Sequence, residues 1–579
     1  MSPSGCVTVL SGYLFDPEAL ARSLSLGPGL ADAAIAAAWL ERHEPDRLAE
    51  LPGDFALAQW CPHDARLLLA VAPMAGRLIY WHLGVGTFSC ATTVAALHRI
   101  PSVPREIDPL QFTTRFTARI GDASRTIYRD VRLLSPGEML VADGHGCRKT
   151  VLWEPDLARR IHLGSDAAYA EAARELLDRA VANRMRTARS PGFLASGGLD
   201  SAAILTSAAR QSEHRPIHSY TAIPPSGVAL TPGSRRYLSE QPKLAALAAQ
   251  YPNLHPSFCS GSTPAAMETH PAGLFMHKAL PCMMASHLAW FDPAHRAIQR
   301  AGHDVVLVGD MGNFTLSFDG LACFSDLVRE GRLLTAVRLM RRVAAYSGRQ
   351  TRSILRNSIL VPLLPRRLAE RHRQRRLGRH PLARHAAIRS AWLDDVGISA
   401  YTEAHGESSV VGAFSDSRQL IAHFVTKRRT ERIQNHLLLE SVYGFQHRDV
   451  FADRDLLEFC LAIPREQFII DGRDRSLIRR VLEGQAPRCI VNETCHGHQN
   501  PEWVSRLLQQ RETFAAEIES FSQHPMLAEM LDIPRLRTLL DQMPRTAEEG
   551  EGRQLEYTTA FTRAIQMGRF VRWSTGANQ

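Results

Sequence analysis

The segment 191–211, PGFLA-SGGLDS-AAILTSAARQ, sets the tightest limit on what this chain can fold into. PGFLA is a short apolar run, SGGLDS a turn with two adjacent glycines, and AAILTSAARQ an Ala-rich helix pattern. A buried strand that turns through glycines straight into a helix gathers free backbone N–H groups and the positive end of the helix at one point. The glycines keep any Cβ from standing between those groups and a ligand. This is an anion cradle. Ser196, Gly197, Gly198, Leu199, Asp200 and Ser201 are the expected phosphate-binding residues, with the two serine hydroxyls donating to phosphate oxygens. Asp200 is misplaced beside phosphate unless it holds Mg²⁺, which takes carboxylate and phosphate oxygens together.

The pattern continues on both sides. IHSYTAI (217–223) reads as a second strand, EQPKLAALAAQY (240–251) as a helix and DVVLVGD (304–310) as a later buried strand. Strands alternating with helices predict an α/β fold with a parallel sheet covered on both faces. Upstream, SDAAYAEAARELLDRAVANRM (165–185) reads as a helix that Ser165 caps. Beyond about residue 325 the pattern is almost wholly helical.

Residues 1–155 differ. GDFALAQW (53–60), RLLLAVAP (66–73), GRLIYWHL (76–83) and GTFSCATT (86–93) read as stacked strands, with an Ala-rich helix over Asp32–Glu41. The strand pattern ends near Trp153-Glu154-Pro155. At 579 residues the chain is long enough for several domains, and the break predicts two, 1–155 and 165–579.

Charge and composition exclude several classes. The net charge is +9, carried by arginine: only Lys149, Lys243, Lys278 and Lys427 are lysines among the 68 basic residues. No Gly-Lys pair exists, so there is no Walker A loop. Between Arg341 and Arg389 fourteen arginines meet one acid, Glu370, which reads either as a docking face for an acidic partner or as a solvated surface. Nucleic acid is not expected, because the arginines lack the run of interleaved aromatics that stacks on bases, Tyr346 standing alone among them, and no reading motif is present. Ten cysteines without a CxxC pair predict free thiols in a reducing cytoplasm rather than a zinc site or disulfides. No apolar run of about 18 residues predicts a transmembrane segment, and no secretory signal is evident.

The SGGLDS turn matches the pyrophosphate loop of the ATP-pyrophosphatase superfamily, and the whole chain resembles its asparagine synthetase-like group. That resemblance implies an Ntn-type glutaminase-like N-terminal domain and a Rossmann-like synthetase domain with a large helical part. GDFALAQW, MAGRLIYW and LSPGEMLVADGHGCRKTVLWEPD (134–156) carry the match at the N-terminal side. Ser2 stands where a working glutaminase needs cysteine, and SGYLFD (11–16) resembles a segment well inside that fold. The domain is therefore expected to be a degenerate scaffold that releases no ammonia.

Gly309-Asp310-Met311-Gly312-Asn313, with Thr315 and Ser317, resembles the lasso peptide cyclases of this group, as does YGFQHRDVFADRDLLEFCLAIP (443–464). The resemblance implies Asp200 and Asn313 as Mg²⁺-positioning residues, Gly309 and Gly312 as points of close approach, and Arg448 and Asp449 as active-site residues. The family's catalytic glutamate falls on Gln446, and the lysine that offsets phosphate charge in relatives falls near Cys495, with Arg479, Arg480 or His496 as possible replacements. The implied reaction is ATP-driven closure of a macrolactam in a leader-cleaved precursor peptide, with a leader peptidase and a leader-recognition partner. Asparagine synthesis, small-molecule lactam synthesis and a non-catalytic ATP-binding scaffold remain the alternatives.

Overall fold

A computed structural model describes residues 5–117, 121–212, 214–225, 228, 236–261, 264–269, 272–348, 350–365, 368, 386–405, 416–427 and 429–576. Ser2 and residues 349, 366–367 and 369–385 of the arginine-rich stretch lie outside them.

The N-terminal part is built from antiparallel strands. β1 (Val7–Leu14), β2 (Gly53–Cys61), β3 (Arg66–Val71), β7 (Glu138–Asp143) and β8 (Gly146–Val151) form one sheet in the order β1-β2-β3-β7-β8. β4 (Ile79–Gly84), β5 (Thr87–Ala91) and β6 (Arg132–Leu134) form a second, in the order β5-β4-β6. One apolar cluster (Leu14, Ile35, Phe55, Leu69, Ile79, Leu134) ties both sheets to the helix Asp32–Arg42. The cysteine expectation fails here. β1 and β2 pair with Val7 opposite Trp60, so Cys6 faces Cys61 one step on, with Cα atoms 4.3 Å apart, and the two are joined as a disulfide. That pairing depends on strand register, which cysteine spacing does not encode.

After the helix Asp166–Met185, whose N-cap Ser165 side chain accepts from the Ala168 N–H, comes the parallel sheet. β9 (Pro191–Leu194), β10 (Ile217–Ala222), β12 (Leu254–Cys259), β13 (Val305–Val308) and β14 (Gln446–Asp449) lie in the order β12-β10-β9-β13-β14, all pairs parallel. Alternation along β13 shows why this sheet is covered twice: Val305 and Leu307 enter one apolar core, Val306 and Val308 the other. The C-terminal region is largely helical, but β14 was not expected. Four residues, two of them charged, make an edge strand only because β13 presents a free edge for them. A two-residue parallel pair, β11 (Arg236–Tyr237) with β15 (His496–Gly497), sits apart from the main sheet.

Arginines join the two halves. The Arg448 guanidinium lies 4.1 Å from the Tyr13 ring centre, Arg186 pairs with Asp32 at 2.7 Å, and Arg454 donates to the Ala49 carbonyl at 2.7 Å. Arg184, 2% exposed, pairs with Asp453 at 2.6 Å and lies over Phe15. Trp153 Nε1 donates to Glu458 across the same boundary. Among the described residues no helix is long and apolar enough to cross a membrane.

Candidate active site

Strand order locates the site. From β9 the chain moves to β10 and β12 on one side, then returns to place β13 and β14 on the other. The carboxyl ends of β9 and β13 therefore border the point where the order reverses, which is where open α/β sheets bind ligands. The two motifs singled out by sequence, 196–201 and 309–313, follow those two strands.

The cradle is formed. Gly198 is the N-cap of the 13-residue helix Leu199–Gln211 and has no side-chain cap, so the helix's first N–H groups are left for a ligand. Ser196 N–H donates to Ser201 Oγ at 2.9 Å, and the two hydroxyl oxygens lie 3.1 Å apart. The serines thus brace the turn as well as face it. Leu199 buries its side chain in the core beneath, so only its backbone can serve the cradle.

Asp200 occupies the first helical turn, wedged against the second motif. A Cβ at Gly312 would fall 2.2 Å from Asp200 Oδ1, and one at Gly309 would fall 3.4 Å from Asp200 Cβ. The close approach that these glycines allow is therefore to Asp200. Its Oδ1 is sealed from solvent, and burial pushes its carboxyl up to about 6, against the Ser317 hydroxyl and the Arg475 charge, with the Asp310 charge adding to the rise. An acceptor oxygen so placed beside an anion cradle fits a cation. Asn313 is exposed in the short 3₁₀ turn Gly312–Phe314.

Asp449 and Arg448 separate, because successive strand residues face opposite ways. Asp449 accepts from the Met311 N–H at 3.0 Å and the Phe451 N–H at 3.1 Å, which fixes the turn after β13. Burial, then the charge of Asp310, raises its carboxyl to about 6. Arg448 points to the other face, donating to the Arg184 carbonyl at 2.7 Å and Thr187 Oγ1 at 2.9 Å. It joins strand, helix and N-terminal domain and is not in the active-site cluster. Gln446 shares that face and accepts from Arg448 Nη2 at 2.9 Å.

Sequence reasoning missed several residues. The absence of a lysine near Cys495 holds only along the chain: Lys243 reaches Glu493 with Nζ–Oε2 at 2.8 Å and lies 3.4 Å from the centre of the Tyr237 ring. Its stem packs on the cradle, where a Cβ at Gly197 would meet Lys243 Cδ at 3.0 Å. Glu240, one helical turn earlier, accepts the Gly197 N–H at 2.7 Å, and burial raises its carboxyl above the usual range. Two of the three possible substitutes for the lysine are engaged elsewhere: Arg479 donates to the Val491 and Glu493 carbonyls, and Arg480 to Gln467. Asp310 lies inside the second motif but was passed over. Its Oδ2 is 2.8 Å from His436 Nε2, and its carbonyl accepts from Arg432 at 2.5 Å. The surrounding chain desolvates the Asp310 carboxyl, which would raise it although the side chain keeps 47% of its surface, yet His436 and Arg432 together hold it well below the usual range. The helix Arg429–Tyr443 supplies both partners, and nothing in its sequence announces that its face meets the end of β13.

Beside the cradle opens a pocket of about 410 Å³. Leu194 and Val308 form its floor, Phe291, Phe314 and Phe424 contribute apolar walls, and Asp310 with His436 supplies a polar side.

A parallel α/β sheet with a glycine turn at a helix N-terminus and a pocket at its switch point is an arrangement that suits a nucleotide-dependent enzyme. The family model for asparagine synthase matches residues 172–566 and that for a glutamine amidotransferase domain matches residues 7–153. The chain belongs to the asparagine synthase family, whose members are ATP-dependent amide-forming ligases. Among solved structures it resembles glutamine phosphoribosylpyrophosphate amidotransferase from B. subtilis, complexed with ADP and GMP, at 15% identity over 40% of this chain and 49% of that one, TM-score 0.19. It also resembles the allosteric regulatory enzyme of purine biosynthesis, at 12% identity over 45% of this chain and 62% of that one, TM-score 0.21. The chain thus spans about half the length of the first and less than two thirds of the second. Comparison with curated proteins finds no match.

Proposed function

We propose that this chain is a lasso peptide macrolactam synthetase of the cytoplasm. It adenylates an Asp or Glu side chain of a leader-cleaved precursor peptide with ATP and joins it to the peptide's N-terminal amine, releasing AMP and pyrophosphate. The observation that carries the reading is a pocket of about 410 Å³ with aromatic walls, lined by Leu194 two residues ahead of the 196–201 turn and by Asp310 and Met311 of the second motif, roomier than a single aspartate side chain requires. The Asp32–Arg186 pair and the Arg448–Tyr13 contact also support it. They commit groups of the N-terminal domain to holding the synthetase domain rather than to glutamine.

The chemistry follows from the parts. Amide formation from an ionised carboxylate is uphill in water, so the acid must first be made an acyl-adenylate. The carboxylate oxygen attacks the α-phosphorus, and pyrophosphate leaves toward the N–H groups of Gly197 and Gly198, with Lys243 beside them. Glu240 must release the Gly197 N–H for phosphate to take it. Asp200, with Asn313, which follows the Gly312 packed on it, would hold Mg²⁺, which when bound offsets phosphate charge. The apolar walls keep water from the adenylate until the amine arrives. A leader peptidase and a leader-recognition partner complete the proposed pathway.

The test is pyrophosphate release measured against three substrates. Release that needs the processed peptide and yields a product one water lighter supports the reading. Release with aspartate and ammonia instead makes the chain an asparagine synthetase, and release with neither makes it a scaffold.

A further inference from the structure

Closing the ring needs a base, and the inherited position does not supply one. Near neutral pH the α-amine of a peptide, with a pKa of about 7.7–8.0, is mostly ammonium. It must lose one proton before it attacks and a second as the C–N bond forms. Gln446 stands where the family's glutamate would be, carries no basic group and turns its side chain to Arg448 on the face away from the pocket. The pocket contains another arrangement. His436 lies in its wall with its side chain 14% exposed, and Nε2 is 2.8 Å from Asp310 Oδ2, whose side chain is 47% exposed at the mouth. A carboxylate that orients an imidazole is the arrangement that makes histidine an effective proton acceptor. Asp310 directly follows Gly309, which packs on Asp200, so the pair sits beside the cradle where the adenylate forms.

We propose that His436, oriented by Asp310, is the general base that takes the proton from the peptide's amine as it attacks the acyl-adenylate. This rests on the macrolactam reading above and adds the residue that performs its second step. The ammonium first gives one proton to solvent; the amine nitrogen then attacks the acyl carbon, the C–N bond forms, the bond from that carbon to the AMP oxygen breaks, and the nitrogen's second proton passes to the imidazole nitrogen that is not bonded to Asp310. Exposed Asp310 at the mouth then lets the proton reach solvent. The groups around His436 are consistent with this role. On its own helix are Arg429, Arg432 and, one turn on, Glu440, with Arg432 bonded to the Asp310 carbonyl. On β14 are Asp449, tied to the Met311 N–H, and His447, whose ring lies 5.5 Å from that of His436. Behind them His295 Nε2 is 3.1 Å from His447 Nε2, with Asp292 on the same helix, and His287 also lines the pocket. Burial keeps His295 and His447 below the usual range, so neither competes for the proton.

The experiment separates the two half-reactions. Adenylation is followed as ATP–pyrophosphate exchange with a processed peptide whose N-terminal amine is acetylated, and closure as cyclic product from the free-amine peptide in a single turnover. His436→Gln should slow closure at pH 7 by about 10²–10⁴-fold, while exchange falls no more than a few-fold. His436→Ala with added imidazole should regain part of the rate, and Asp310→Asn should show a smaller deficit of the same kind. Closure by His436→Gln at the wild-type rate at pH 7 overturns the proposal. So does a loss shared equally by exchange and closure at every pH without imidazole rescue, which would mark a structural role. If the wild type shows no exchange at all, the macrolactam reading itself is wrong and the proposal falls with it.

Discussion

Gly312→Ala adds one methyl group at the tightest point of the site. The new Cβ would stand 2.2 Å from Asp200 Oδ1, 2.4 Å from Cγ and 2.8 Å from Oδ2. A methyl carbon rests about 3.5 Å from such atoms, so the overlap exceeds about 1 Å. Asp200 has no easy retreat, because Gly309 lies against its Cβ and its Oδ1 is sealed from solvent. Overpacking of this kind costs about 1–3 kcal/mol of stability. The displacement acts on the residue that positions the phosphates, and a shift of about 1 Å there costs about 10²-fold in rate. Differential scanning fluorimetry and ATP–pyrophosphate exchange read the two effects. Gly164→Ala is the control, since no atom lies within 4 Å of its new Cβ. If Gly312→Ala melts and turns over like wild type while the control does too, Asp200 is not wedged between the motifs and the site geometry is wrong.

Three further outcomes follow from the same structure. Asp453→Asn leaves Arg184 charged, 2% exposed and short of its carboxylate partner, and should lower stability by about 3–5 kcal/mol in denaturant unfolding. Lys243→Met removes the cation packed on the cradle and should slow exchange by about 10–10²-fold, with a rise in the apparent KM for ATP. Asp200→Asn should abolish exchange yet stabilise the fold above pH 6. The folded carboxyl titrates near 6, above its unfolded value, so stability is greatest below the unfolded pKa of about 3.9 and is lost as pH rises toward 6. Melting curves at pH 5 and pH 8 check this: the gain from the variant must be larger at pH 8.

The parts of the fold that the sequence encodes locally were legible in it. PGFLA, SGGLDS and the Ala-rich run form a strand, turn and helix in the expected order, with the helix starting three residues early at Leu199, and the Ser165 cap is made. Apolar β13 is a strand within one residue of its expected limits at the start and two at the end. What escaped was set by tertiary placement. β14, with its His, Arg and Asp, becomes a strand only against the edge of β13. Lys243 lies 250 residues from Glu493 in sequence and meets it where β11, just before Lys243, pairs with β15, just after Glu493. Asp310 and His436 are 126 positions apart and meet only once the helix Arg429–Tyr443 lies across the end of β13. The Cys6–Cys61 bond required a register. Arg448 was assigned to the site by motif, whereas strand alternation turns it to the domain boundary.

The central claim is that the 196–201 turn grips the pyrophosphate expelled when a peptide carboxylate becomes its AMP ester. The most direct measurement is a stoichiometry: AMP, pyrophosphate and cyclised peptide quantified from one reaction of wild-type protein, ATP, Mg²⁺ and processed peptide. The account predicts the three in equal amounts, and none of them from Asp200→Asn. ADP and inorganic phosphate as the nucleotide products, or cyclised peptide without nucleotide consumption, would contradict it.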